Sequence, residues 1–228
     1  MSSDLKGQAL FPVILGSTVH DIKNSLGTLM GLIQQIGLKQ LDNQADDIRQ
    51  LEFEANRINH SLMQLLVMYK IDSNKFSLIE DEYAALDLIH EAKAQQDRLS
   101  TLHNVEVRIE CSDDLSCYCD YQHVGNALGT VLNNAQRYTK KRVVISAAEI
   151  NGYVRFCIED DGQGYPPHLL NANLSNPAEL DWVSGNTGLG LYFVAAIAGF
   201  HKNREKSGFV EIDNCSRLGG ARFSLYLP

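Results

Sequence analysis

No apolar stretch in this chain can cross a bilayer. The longest, such as Leu191–Ala198, fall far short of the roughly 20 residues a spanning helix needs. Met1 to Gln8 is polar and lacks a charged-then-apolar leader. Together these absences predict a cytoplasmic protein with no membrane anchor. Basic clusters are scarce too. Lys140-Lys141-Arg142 stands alone in a chain of net charge −8, so counterion release has no footprint and nucleic acid is not an expected partner. A disulfide framework is equally unexpected, since five cysteines, an odd number without a secretory leader, point to reduced thiols. Cys117-Tyr118-Cys119, with Cys111 nearby, has no second ligand pair at zinc spacing. On a strand its two thiols alternate onto one face, and packing accounts for them. What is left is 228 residues, 44% hydrophobic and 21% charged, room for one large or two small soluble domains.

Apolar residues recur at Leu15, Val19, Ile22, Leu26, Leu29, Ile33 and Ile36, in steps of four and three. A second series runs Ile48, Leu51, Ala55, Ile58, Leu62, Leu65 and Tyr69. Such spacing is the seam of helices packed lengthwise. Between them Lys39 to Asp46 is polar, with Asp46 or Asp47 expected to cap the second helix. A hairpin has one internal seam, so Leu32, Met63, Leu66, Val67 and Met68 would stay wet in a monomer. Each is worth about 1.5–3 kcal/mol when buried. Pairing two hairpins into a dimeric four-helix bundle removes that cost, and a homodimer through residues 1–74 is expected. His20 follows the seam residue Val19, so it is expected to face solvent. Asp21 adjoins it and Asn24 lies one turn on. A carboxylate beside an imidazole can hold its tautomer and take its proton while the other nitrogen attacks phosphorus. Asn24 can hydrogen-bond an attacking water or an acyl phosphate opposite His20.

After Asp72-Ser73-Asn74 the pattern changes, and residues 75–228 read as a mixed α/β sandwich. Phe76–Glu80 is expected as a strand, Ala84–Leu99 as a helix and Val105–Ile109 as a strand. Asp120 caps a helix running to about Tyr138. Two strands meet at the Asn151-Gly152 turn, Leu189–Phe200 is helical, and a hairpin around Gly219-Gly220 closes the chain.

Three motifs on this scaffold suit a nucleotide. Asp160 ends a strand, where its carboxylate can accept from an adenine amino group, and Gly162 and Gly164 let the backbone turn close to a base. Asn134 offers a neutral oxygen to Mg²⁺, which takes few protein ligands. Gly188 and Gly190 open a helix whose free amides suit phosphates, and Arg137 lies about one turn beyond Asn134, within reach of a phosphate. An ATP site beside a presented histidine predicts that the histidine is phosphorylated.

These residues resemble the sensor histidine kinases over nearly the whole chain. His20-Asp21-Ile22-Lys23-Asn24 resembles the phosphoacceptor box, and Thr130 to Tyr138 the asparagine box. Asp160 to Gly164 and Gly185 to Gly190 resemble the two glycine boxes, and Gly219 to Pro228 the closing hairpin. The resemblance implies a dimerisation and histidine-phosphotransfer bundle joined to a Bergerat-type ATP domain. It implies Mg-ATP as cofactor, bound by Asn134, Arg137, Tyr138, Asp160, Gly162, Gly164, Thr187, Gly188, Leu189 and Gly190, with Mg²⁺ at Asn134. It further implies catalysis by His20, Asp21 and Asn24, with a response-regulator receiver domain as phosphoryl acceptor. With only about ten residues ahead of the bundle, input is expected from a separate sensory protein. Three positions depart from the pattern. Ser25 stands where proline is usual, Thr130 where the first asparagine is usual, and the segment from Tyr165 to Thr187 is short, predicting a reduced ATP lid. The alternative is a histidine phosphotransferase or response-regulator phosphatase of the same architecture, with vestigial kinase activity.

Overall fold

The computed structural model describes Leu15, Val19 and residues 22–33, 44–103, 105–176 and 189–228. The described residues fall into two units, a helical one up to Phe76 to which Leu189 is also assigned, and an α/β one from Ser77 that resumes at Gly190. No described helix is long and apolar enough to cross a membrane.

In the helical unit residues 22–33 form α1 and Gln44–Asp72 form α2. Asp46 and Asp47 therefore lie inside α2 rather than capping it, because the helix starts two residues before them. The expected faces are partly exchanged, although Ile22, Leu29, Leu51, Ile58 and Leu65 of the seam are half-buried. Leu32, Val67 and Met68, expected to be wet, are buried, while seam residues Leu15, Val19, Leu26, Ile33, Ile48, Leu62 and Tyr69 are exposed. Met63 and Leu66 are exposed as expected. Successive residues stand about 100° apart around a helix. A rotation of one position thus turns the apolar stripe outward and brings Ser25, Glu54 and Gln64 inward. Gln64 Nε2 donates to His60 Nε2 at 2.9 Å, and burial holds the His60 pKa below its usual value.

The α/β unit runs β1 (Asp81–Ala84), α3 (Ala85–His103), β2 (Glu106–Glu110), β3 (Ser116–Cys119) and α4 (Tyr121–Tyr138). It continues through β4 (Arg142–Ile150), β5 (Tyr153–Asp160), the short α5 (Pro167–Leu170) and α6 (Leu189–Phe200). Four strands complete it: β6 (Lys202–Asn203), β7 (Lys206–Ser207), β8 (Phe209–Asp213) and β9 (Arg222–Leu227). The strand expected at Phe76–Glu80 lies one step later, at β1, where Asp81–Ala84 pair with β3. Ile79 instead donates its N–H to Asp120 Oδ2 at 2.8 Å.

The main sheet has the order β2-β4-β5-β9-β8, parallel between β2 and β4 and antiparallel elsewhere. Asn151 and Gly152 both take positive φ, the twist-matched turn of a two-residue hairpin. Register places Ile145, Ile158 and Phe223 in one row and Ala147, Phe156 and Leu225 in the next, all buried. Ala85, Leu88, Ile89 and Ala92 of α3, and Val124, Leu128, Val131 and Ala135 of α4, bury helical stripes. Helix α6 carries no charged residue near either end and buries Leu191, Val194, Ile197 and Ala198. Cys117 and Cys119 share the buried face of β3.

Asp120 joins these layers. Its Oδ1 caps α4 by accepting from His123 N at 3.0 Å, and its own N–H donates to His201 Nε2 at 3.1 Å. His201 Nδ1 is 2.8 Å from Ile197 O, so that nitrogen carries the proton and the ring is neutral. Burial lowers the His201 pKa, opposed by the Ile197 bond and the charges of Glu80 and Asp120. As pH falls, the unfolded chain takes up the proton near its usual pKa of about 6.5, before the folded one does. Stability is therefore complete above that pH and declines below it. Thermal midpoints between about pH 7.5 and 5.5 should fall in the parent and fall less steeply in His201→Gln. Parallel slopes would remove His201 as the source.

Candidate functional site

Asp160, at the end of β5, is buried. Its Oδ1 accepts from Gly162 N at 2.8 Å and Ala221 N at 3.1 Å, while its carbonyl accepts from Gly220 N and Ser216 Oγ. Oδ2 carries no hydrogen bond among the described residues, so one carboxylate oxygen is spent on the fold and the other is left for a donor. Burial raises the Asp160 pKa against the pull of those two N–H groups, and the charge of Asp161 adds to the rise. A Cβ on Gly162 would collide with the Tyr138 carbonyl oxygen. The acidic turn therefore lies directly against the end of α4.

Asn134 is half-buried one turn earlier on α4, and Gly190 lies across from it. A Cβ on Gly190 would stand 3.0 Å from Thr130 Cγ2 and 3.8 Å from Asn134 Nδ2. The start of α6 thus meets the asparagine face of α4, bringing together two motifs more than fifty residues apart. Thr130 spends its hydroxyl on its own helix, donating to Asn126 O at 2.8 Å. Arg137 and Tyr138 are exposed, with the guanidinium 5.8 Å from the Tyr138 ring centre. Leu189 is buried at the start of α6. Asn24 is exposed on α1, and its carbonyl accepts from Thr28 Oγ1. His20, Asp21, Thr187 and Gly188 lie outside the described residues.

Two sets of residues here escaped the sequence reading. Asp161 gathers the α4–β4 connection, accepting from Thr139 Oγ1 and from the N–H groups of Lys140, Lys141 and Arg142. Those donors hold its carboxyl well below the usual range, outweighing the opposing effect of burial. The loop 214–221 wraps the other side: Asn214 pairs with Tyr165, Ser216 and Gly220 with Asp160, and Arg217 with Glu159. A lone acid after Asp160 and a polar loop before Gly219-Gly220 were the available signals, and neither names its partner.

Residues 119–228 match the family of histidine kinase-, DNA gyrase B- and HSP90-like ATPases. The chain is 26% identical over 190 residues to the sensor histidine kinase YkoH of Bacillus subtilis, covering 80% of this chain and 41% of YkoH. The Acinetobacter baumannii histidine kinase AdeS superposes with a TM-score of 0.64 at 18% identity, covering 91% of this chain and 96% of that one. Over most of its length the chain is similar to sensor histidine kinases. Histidine kinase ThkA, solved in complex with the response regulator TrrA, shares its fold at a TM-score of 0.64 and 18% identity, covering 99% of this chain and 64% of that one. This histidine kinase relative spans less than half the length of the curated relatives it matches.

The close approach at Gly162 can be measured. Gly162→Ala must displace the Tyr138 carbonyl and should cost about 1–3 kcal/mol in chemical denaturation. Gly199→Ala, whose Cβ meets nothing within 4 Å, should be neutral or slightly stabilising. Equal effects of the two substitutions would refute the contact.

Proposed function

We propose that this chain phosphorylates His20 from Mg-ATP and passes the phosphoryl group to an aspartate of a response-regulator receiver domain. The observation that carries the reading is Asp160, with Oδ1 held by two backbone N–H groups and Oδ2 left to accept from an adenine amino group. In this reading residues 75–228 bind ATP, and residues 1–74 present the histidine and dimerise. Asn134, beside the start of α6, would hold Mg²⁺, which neutralises phosphate charge. Arg137 and Tyr138 border the same end of α4. Leu189 and Gly190 open α6 and, in this reading, bind the phosphates together with Thr187 and Gly188, while Gly162 and Gly164 form the floor under the base. An imidazole nitrogen of His20 attacks the γ-phosphorus, the bond to the β,γ-bridging oxygen breaks, ADP leaves, and Asp21 takes the imidazole proton. The phosphohistidine then donates to the receiver aspartate, a partner class supported by the structure of histidine kinase ThkA in complex with the response regulator TrrA. The exposed stripe from Leu15 through Ile33 and from Ile48 through Tyr69 suits a second copy of the chain, completing a four-helix bundle.

One observation favours a second reading. Thr130 donates its hydroxyl hydrogen to its own helix, so that hydrogen is not offered to a ligand on the face shared with Asn134. Weak kinase activity would leave phosphotransfer or phosphatase chemistry as the main role, with the exposed Asn24 orienting water at an aspartyl phosphate.

With labelled Mg-ATP the parent should acquire an acid-labile, base-stable phosphate that His20→Gln abolishes. Label surviving in that variant would move the site elsewhere. Asp160→Asn should weaken nucleotide binding, whereas Asn134→Ala should damage Mg²⁺-dependent turnover more than adenine recognition. Two variants indistinguishable from the parent would end the nucleotide reading. Charged substitutions at Leu26 and Leu62 should shift the parent from dimer to monomer in light scattering; a monomeric parent would end the bundle.

A further inference from the structure

Beyond Asp160 the chain faces a problem of attachment. Tyr165 is followed by Pro166 and Pro167, neither of which has an N–H. The Tyr165 amide is thus the last backbone donor on the acidic turn before His168. No described strand pairs with it. Instead Asn214, from the loop between β8 and β9, supplies both halves of a ladder rung. Its Oδ1 accepts from Tyr165 N at 2.6 Å and its Nδ2 donates to Tyr165 O at 2.9 Å.

The same amide lies flat on Gly164. That residue has φ +83°, and a Cβ there would stand 2.7 Å from Asn214 Cγ and Oδ1. Asn214 is itself held. Asp213 before it accepts from Arg222 Nε and Nη2 at 2.9 and 2.8 Å, and from Cys215 N at 2.7 Å. The turn therefore has two independent anchors. Asp160 at its near end is fixed by Gly162, Ala221, Gly220 and Ser216, none of which involves Asn214. The far end, Gly164-Tyr165, is held by Asn214. Tyr165 is half-buried, and desolvation together with the charges of Asp160 and Asp213 raises its phenol pKa.

We propose that Asn214 is a positioning residue for nucleotide binding, its side-chain amide pinning Gly164 and Tyr165 so that the wall beside Asp160 is preformed. The inference rests on the nucleotide reading of Asp160. Because the near anchor is independent, removing the amide should loosen the wall without unfolding the domain. Affinity then falls because the wall must be ordered on binding, while the chemistry at saturation is unaffected.

The test uses the full chain, titrated with ADP and assayed for autophosphorylation over a range of Mg-ATP. Asn214→Ala should raise the ADP Kd and the KM for ATP about tenfold, with kcat within about twofold of the parent. Asn214→Asp keeps the acceptor for Tyr165 N and should recover part of the affinity. Parental Kd and KM in Asn214→Ala would overturn the proposal. So would a fall in thermal midpoint and active fraction with unchanged Kd, the mark of a purely structural residue. If Asn214→Ala does not fold, Asn214→Asp decides by the same criteria: a raised Kd at parental kcat supports the proposal and a parental Kd overturns it. Parental ADP binding by Asp160→Asn would instead indict the nucleotide reading, whereas weakened Asp160→Asn with normal Asn214→Ala indicts only the pin.

Discussion

A carboxylate buried at the end of a strand is unstable unless donors are brought to it, and much of the α/β unit's loop structure answers that demand at Asp160. β5 delivers the side chain onto the same face as Phe156 and Ile158, under α4. Local sequence can provide one donor, the Gly162 N–H two residues on. The second comes from Ala221, sixty-one residues later, and it arrives only because β9 pairs antiparallel with β5. Sheet topology and site are thus one arrangement. Register between these strands decides whether the carboxylate is satisfied, since a slip of one residue would carry Ala221 N away from it.

The neighbouring acids Asp160 and Asp161 show how environment separates two identical groups. Consecutive residues leaving a strand point to opposite sides. Asp160 goes inward and meets two N–H groups, too few to offset burial, so its pKa rises. Asp161 goes to the α4–β4 connection and meets a hydroxyl and three N–H groups, so its pKa falls. The first retains an oxygen for a ligand, while Oδ1 of the second takes all four donors and ties the end of α4 to β4, with its Oδ2 3.6 Å from Arg142 Nε. Thr139, Lys140, Lys141 and Arg142 are held by that second acid, and with them the helix end that carries Asn134, Arg137 and Tyr138. A charge therefore stiffens the platform on which a neighbouring charge is displayed.

The helical unit follows a different logic. Within one chain, α1 and α2 turn Ser25, Glu54, Gln64 and His60 inward or partly inward and leave an apolar stripe outside. Hydrophobic periodicity is blind to this choice, because it records that a stripe exists and not which surface covers it. The α/β unit presents no such ambiguity: α6, apolar almost throughout, has nowhere to go but the interior.

By itself the sequence determined the elements with strong local signals. Alternation and an Asn-Gly pair specify the β4–β5 hairpin, Asp120 specifies the start of α4, and the acid with its glycines specifies the tight turn after β5. In each case the cause lies within a few residues, in a period, a cap or a φ that glycine allows. The rest depended on partners far along the chain. Nothing near Asn214 announces that its amide will meet Tyr165, forty-nine residues away. Nothing near Gly190 announces Thr130 and Asn134. The N–H of Ile79 joins Asp120 instead of a strand because Asp120 has a second oxygen to satisfy. These choices belong to tertiary structure. A hydrogen-bonding group constrains what its partner must be chemically, but only the folded sheet decides which of many equivalent donors and acceptors comes within 3 Å of it.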